Sequence, residues 1–280
     1  MKFIYSEWYA FFKALSHHAI YSITAAAILK AAQNVILKSE RFVHLKHDVE
    51  SSPLKALDLA RIEAKYGHCA TYYVQAHLMT DANQHIFGEI QKLGHEVTYH
   101  HDVIDGGKGN LNEALSIYKK NLVKFEQLGF EVETVCQHGN PVSNYENRDF
   151  FRSTLIQNEF PKQADIMVDF MDKIGRKYIY ISDVGMSFKI VTDPVNSDKI
   201  VEAEKYIILG EILNVVPEIL RHPDASYIVS AHPQRYNRSV FKAVTRKTIF
   251  IIIKTIAKVL FKVPGVKKLL FRFNSITKHL

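Results

Sequence analysis

The sequence predicts an α/β fold of parallel βαβ units, arranged as a barrel or an open sheet. Three observations predict it. Apolar runs of strand length alternate with longer segments whose apolar residues recur at helical spacing. Several of those longer segments stop at a glycine, as at Gly67, Gly94 and Gly129. Three of the strand-like runs finish in a histidine (His47, His100 and His138), and in parallel α/β architectures such ends converge on a single rim.

Along the chain, residues 1–15 have Glu7 and Lys13 interrupting Trp8, Phe11 and Phe12, which suits an amphipathic helix on the body better than a signal peptide. Residues 22–32 are alanine-rich and helical in propensity. The most informative stretch begins at Phe42. Residues 42–45 have the composition of a buried strand, and His47-Asp48-Val49-Glu50 closes it. Ser51-Ser52-Pro53 then reads as a Ser N-cap with Pro in the first helical turn. Asp48 and Glu50 are two residues apart, so on a strand they share a side and reach one ion. A solvated acid pair in a βα loop is the plain alternative.

Helix 54–63 follows, then strand 68–74, helix 81–93, and strand 95–99 ending in His100-His101-Asp102. A glycine-rich loop at 105–110 leads to helix 111–128 and to strand 130–136, which ends in Gln137-His138-Gly139-Asn140-Pro141. The second half is less regular. Residues 151–172 read as loop plus helix, 177–181 as a strand ending in Ser182-Asp183, and 193–198 as loop. A short strand at 205–210, a helix at 211–220 and a last strand at 227–231, ending in His232-Pro233, complete the body. Asp48, Glu50, His100, His101, Asp102, His138, Asp183 and His232 thus become rim candidates, and three histidines at equivalent strand ends point to a metal site.

Composition narrows the class. With 47% apolar and 23% charged residues the chain is an ordinary globular protein without a disordered tract. Cys69 and Cys136 lie in strand-like runs as small core residues, and the absence of a CxxC pair excludes a zinc ribbon or thioredoxin site. The net charge of +7 is unevenly spread: residues 238–280 hold eleven Lys and Arg and no acid, against 25 basic and 29 acidic groups elsewhere. The chain therefore divides into a body, 1–237, and a basic tail, 238–280. In the tail Ile249, Ile252, Ile253, Ile256, Val259 and Leu260 fall on one helical face, opposite Lys247, Lys254, Lys258 and Lys262. Its longest apolar run, 249–253, is far short of the roughly 20 residues that span a bilayer. Pro264-Gly265 breaks the helix and residues 266–273 repeat the theme. This pattern fits a helix lying in the interface of an anionic leaflet, on the cytoplasmic side, rather than a nucleic-acid surface. A C-terminal helix packed on the body with solvated lysines is the alternative.

Taken together, His47-Asp48-Val49-Glu50, Gly94-His95-Glu96-Val97-Thr98-Tyr99-His100, Gln137-His138-Gly139-Asn140-Pro141, Ile181-Ser182-Asp183 and Ala231-His232-Pro233 resemble the polysaccharide deacetylase family, the NodB-like or carbohydrate-esterase-4-like proteins, in a divergent form. The likeness runs from about Phe42 to Tyr236. It implies a distorted (β/α) barrel of about seven parallel strands holding a divalent metal, usually zinc. It implies removal of N-acetyl groups from a sugar unit of a surface polysaccharide or lipid-linked glycan. Residue by residue, Asp48 matches the family's base, His100 its first metal histidine and His232 its acid, which Asp183 would orient. Glu50 stands in for the metal-binding aspartate, displaced by one position because Val49 fills the usual place.

The chain also departs from the family pattern. The second metal histidine belongs four residues after the first, where this chain has Ile104. His138 or His101 could replace it, and His138 is favoured because it comes from its own strand end. The Arg-containing motif that braces the base is not evident. An inactive barrel that binds glycan or a partner at the membrane is the competing reading, and a hydrolase of other C–N bonds is a third. Tyr99 and Tyr236 are candidates to flank a sugar ring, with packing as their plainer role.

Overall fold

In the computed structural model, which describes residues 3–34, 42–140, 143–167, 178–192 and 206–260, the run from Phe42 continues straight through the charged residues. Among the described residues ten strands form one sheet. They are β1 (Tyr21–Ile23), β2 (Phe42–Val49), β3 (Thr71–Val74), β4 (Glu96–His101) and β5 (Thr134–Gln137), then β6 (Ala164–Asp165), β7 (Tyr178–Ser182), β8 (Phe188–Val191), β9 (Tyr206–Gly210) and β10 (Ser226–Ala231). All eight residues of β2 are buried, as a parallel strand covered on both faces should be. β1 pairs with its first half and β3 with its second, while β10 runs along the opposite edge, all in parallel.

Seven parallel strands in the order β6-β5-β4-β3-β2-β10-β7 make up the body of the sheet, and β8 and β9 extend it as an antiparallel pair. Helices cross over between the parallel strands, so the expected α/β architecture is present. Among the described residues the hydrogen-bonded path ends at β6 and β9.

Because side chains alternate along each strand, the sheet has two distinct faces. One carries Val43, Leu45, Tyr72, Val97, Val135 and Val229, packed in the main core with helices α1 (Tyr5–His17), α3 (Pro53–Lys65), and, further along, α4 (Asp81–Lys92) and α6 (Leu111–Gln127). α1 buries Trp8, Phe11, Phe12 and Leu15, as its amphipathic pattern requires. The other face carries Phe42, Tyr73, Cys136 and Ile228, packed on Ala25 and Ile28 of α2 (Ala25–Asn34).

The first turn of α2 is held at the beginning of two strands. Ala25 N–H donates to Thr71 Oγ1 (2.9 Å) and Ala26 N–H to Glu96 Oε2 (3.0 Å). A carboxylate there satisfies helix-end amides and meets the positive end of the dipole. α2 thus plugs the amino ends of the strands on the inner face, which leaves the carboxyl ends for chemistry.

Glu63 of α3 ties the back of β2 to the helices. Its wholly buried carboxylate accepts from Trp8 Nε1 (3.0 Å) and Tyr72 OH (2.8 Å) and lies 2.8 Å from His47 Nε2. Burial pushes this carboxyl up, but the imidazoles of His47 and His95 and the Tyr72 phenol outweigh it and hold it below its ordinary value. His47 is therefore a structural residue on the helix side, not a member of the rim group expected from the sequence.

Other differences are local. Ser52 precedes α3 with a left-handed backbone (φ 58°) and makes no side-chain cap, so Pro53 alone carries the start signal. β1 and β8 are not evident in the sequence; each is short, and each exists by pairing, β1 with β2 and β8 with its chain neighbours β7 and β9. The expected loop plus helix after Phe151 begins as two short helices, Asp149–Arg152 and Thr154–Glu159, followed by β6. A single helix, Val240–Leu260, begins the tail, and no helix among the described residues is long and apolar enough to cross a membrane. The expectations for residues 168–172, 193–198 and 261–280 lie outside the described residues.

Acid stability follows from His44, wholly buried on the inner face of β2 with Nδ1 3.0 Å from Ile23 O. Burial pushes its imidazole down from 6.5 to about 4. The unfolded chain takes up this proton first as pH falls, so stability is full above about 6.5 and declines between 6.5 and 4. A tenfold difference in proton affinity between the folded and unfolded chain is worth about 1.4 kcal/mol, so His44 contributes a loss on the order of 3 kcal/mol across that window. Denaturant unfolding at a series of pH values should show this slope, and His44→Gln should make it shallower.

Candidate metal centre

The inner-face alternation that buries His44 also places Lys46 and Asp48 on the same side of β2, with Glu50 just beyond its end. His100 is the inner-facing residue at the end of β4. His138, His232 and Asp183 each follow directly on β5, β10 and β7. Adjacent parallel strands thus deliver their polar ends to one place.

Glu50 sits at the middle of the group. Its Oε1 lies 3.1 Å from His138 Nε2, 3.9 Å from His100 Nε2 and 3.7 Å from His232 Nε2. One ligating atom from each of Glu50, His100 and His138 lies within 4.8 Å of the others. The His100 and His138 rings meet edge to face with centroids 5.3 Å apart. His100 Nδ1 is 3.0 Å from the Cys136 carbonyl oxygen. A carbonyl only accepts, so Nδ1 carries the hydrogen and Nε2 turns its lone pair toward Glu50. Burial pushes the His100 imidazole down to about 4, which keeps it neutral at neutral pH. Burial pushes Glu50 upward, but His138, His232 and His100 outweigh it and hold the carboxyl well below its usual range.

The loop carrying His138 is braced from α5 (Val103–Gly106). The His138 amide donates to His101 O (2.7 Å), and Asn147 Nδ2 donates to His138 O (3.0 Å). Asp105 accepts from both Asn140 (2.9 Å) and Asn147 (3.0 Å). One ionisable carboxylate and two imidazoles, one of them with its tautomer set by a carbonyl, form a donor set suited to a borderline divalent cation such as zinc. The residues fit the metal.

Asp48 and His232 flank this set. Asp48 Oδ2 and His232 Nε2 are 3.9 Å apart. Asp183 Oδ1 lies 2.6 Å from His232 Nδ1, and its Oδ2 accepts the His232 backbone N–H at 3.0 Å. Arg235 closes on the same carboxylate. Burial raises Asp183, but Arg235 and His232 outweigh it, so the group is held below its ordinary value.

Asp48 has a partner that sequence reasoning overlooked. The buried Lys46 ammonium donates to both of its oxygens, to Oδ2 at 2.6 Å, and Ser230 Oγ approaches Oδ2 at 3.4 Å. Burial opposes the charge on each, yet each holds the other ionised: Asp48 well below the usual carboxylate range, Lys46 well above its own. Period-two reading of β2 backward from Asp48 was the signal that could have found Lys46. Cys136, expected as plain core, lies on the same face and forms a second close group with Asp48 and His100.

Asp48, Glu50, His100, His138, Asp183 and His232 are therefore brought together. Not all rim candidates are. His101 faces the helices, where Nε2 lies 3.2 Å from Asp165 Oδ2 in a fully buried pair. Its neighbour His100 takes the inner side, so His101 cannot. Asp102 directly precedes α5, and neither candidate ligand set includes it. Ile104 is buried in the main core. Tyr99 and Tyr236 are wholly buried, so packing is their role.

No family model matches this chain, and no curated protein matches it. Solved structures do resemble it. A CE4 esterase from Streptococcus mutans is 14% identical over 84% of this chain and 89% of its own, with a TM-score of 0.45. A family 4 carbohydrate esterase from Streptomyces lividans, in complex with acetate, is 10% identical over 76% and 88%, with a TM-score of 0.41. The Streptococcus pyogenes deacetylase PplD, also in complex with acetate, is 16% identical over 56% and 69%, with a TM-score of 0.43. The likeness is one of fold.

Proposed function

We propose that this chain is a metal-dependent N-deacetylase acting on a sugar unit of a surface polysaccharide or lipid-linked glycan. The observation that carries the reading is the convergence of a three-ligand set, Glu50, His100 and His138, with a carboxylate and an imidazole, Asp48 and His232, that lie outside that set. The sugar class rests on the order of motifs from His47-Asp48-Val49-Glu50 to Ala231-His232-Pro233.

Glu50, His100 and His138 hold the cation, with zinc the best match to the donors. When bound, it supplies Lewis acidity for the acetyl carbonyl and makes water a usable nucleophile near neutral pH. Asp48 is ionised and takes the proton of the attacking water as the new C–O bond forms. His232 then gives its Nε2 proton to the sugar nitrogen as the C–N bond breaks. Asp183, on Nδ1, aims the ring and stabilises the imidazolium state the transfer requires. Acetate and a free amine are the products.

The tail supports a membrane location. Ala243 and Phe250 pack on the body and Arg246 donates to the Gln234 carbonyl, so the helix is anchored beside the site-bearing turn after β10. Among the described side chains of its apolar stripe, Ile249, Ile252, Ile253 and Ile256 are all exposed, as are Phe241 and Ile251 beside them. Solvated isoleucines on an acid-free basic helix suit the boundary of an anionic leaflet. On the cytoplasmic leaflet the enzyme would meet lipid-linked sugars.

Acetate release from N-acetylated sugar nucleotides and lipid-linked sugars tests the activity. Asp48→Asn and His232→Asn should each lower kcat by about 10²–10⁴ with metal content unchanged. A metal-loaded protein releasing no acetate from any of them would favour the inactive-barrel reading. Cosedimentation tests the surface: the full chain should pellet with vesicles rich in anionic phospholipid, and less as salt rises. Ile252→Glu should weaken this binding, and equal pelleting with neutral vesicles would count against the proposal.

A further inference from the structure

Among the described residues two candidate ligand sets share His100. One is Glu50-His100-His138; the other, Asp48-His100-Cys136, is buried at all three residues. The second has the sulfur donor, and a thiolate is a stronger ligand for zinc and softer cations than a second imidazole or a carboxylate. A cation free to choose would therefore be drawn inward and would take Asp48 with it. Lys46 stands in the way. Its ammonium occupies both Asp48 oxygens, and Cys136 is among the groups it interacts with electrostatically. While that contact lasts the ammonium offsets the Asp48 charge that would attract a cation, and a second positive charge beside it is repelled.

We propose that Lys46 is a positioning residue that blocks a thiolate-containing metal site and so reserves Asp48 for proton transfer, leaving the cation to Glu50, His100 and His138. The inference rests on the metal-dependent reading of the site, but makes a separate claim about where the cation goes. It also assigns a purpose to a buried cation two residues before the proposed base. In this respect Lys46, not an arginine from another segment, braces that carboxylate.

Cobalt(II) distinguishes the two sites because thiolate ligation adds a charge-transfer absorption in the near ultraviolet. The parent chain loaded with Co2+ should lack this band. Lys46→Met should gain it, and the double variant Lys46→Met with Cys136→Ser should lose it again. A parallel arm uses Cys136→Ser alone, which leaves the buried ion pair in place. It should bind Co2+ as the parent does, whereas loss of a ligand or its support costs about 10–100-fold in affinity. A thiolate band in the parent, weakened binding by Cys136→Ser, or a folded Lys46→Met protein that binds Co2+ without the band would each overturn the proposal. If Lys46→Met does not fold, Lys46→Gln takes its place with the same expected band. Failure of the parent to bind Co2+ at all would instead sink the metal reading on which the inference stands.

Discussion

Everything at the carboxyl end of this sheet depends on the alternation of side chains along β2. Its parallel register against β3 and β10 sets Asp48 opposite Tyr73 and His47 opposite both Tyr72 and Ala231. Lys46 and Asp48 then face inward together, and His47 faces outward onto Glu63. A slip of one residue would exchange the two sets and bury the wrong charges on both sides. Breaking a buried ion pair by removing one partner costs about 3–5 kcal/mol. With the Lys46–Asp48 ion pair on one face of β2 and the buried His47–Glu63 contact on the other, the register is specified chemically as well as by its apolar residues.

The same geometry gives the site a gradient of solvent access. Asp48 and His100 are buried, while Glu50, His138 and His232 are partly open. α2 fills the amino end of the inner face, so among the described residues the cluster opens where the strands finish. Asp183 and Asp105 hold the two sides of the opening, one through His232 and Arg235, the other through the loop after His138. The polar groups that do not react thus determine where the reacting ones point.

How far the sequence was legible depended on whether a residue's position could be read from parity and strand ends. Glu50, His100, His138, Asp183 and His232 end strand-like runs, and the structure brings them together. His47 and His101 end the same runs one place out of phase. Their direction is decided by partners far along the chain, Glu63 and Asp165, which no local pattern announces. Lys46 was hidden for a different reason: a lysine in a strand reads as an exposed residue until its pairing with Asp48 is seen. Cys136 looked like core because its apolar neighbours are core. β1 was illegible because its three residues carry no period of their own and its ladder partner lies 21 residues onward. The alanine-rich helix after it was legible from propensity, but its role as a plug capped by Glu96 was not.

The central claim is that Glu50, His100 and His138 close around one divalent cation. Metal stoichiometry tests it most directly, by elemental analysis of the purified chain after equilibration with zinc and removal of free metal. The account predicts close to one equivalent per chain in the parent, and little in Glu50→Ala, His100→Ala or His138→Ala proteins that keep the parent's fold. A parent chain that retains no metal, or three folded variants that retain as much as it does, would contradict the account.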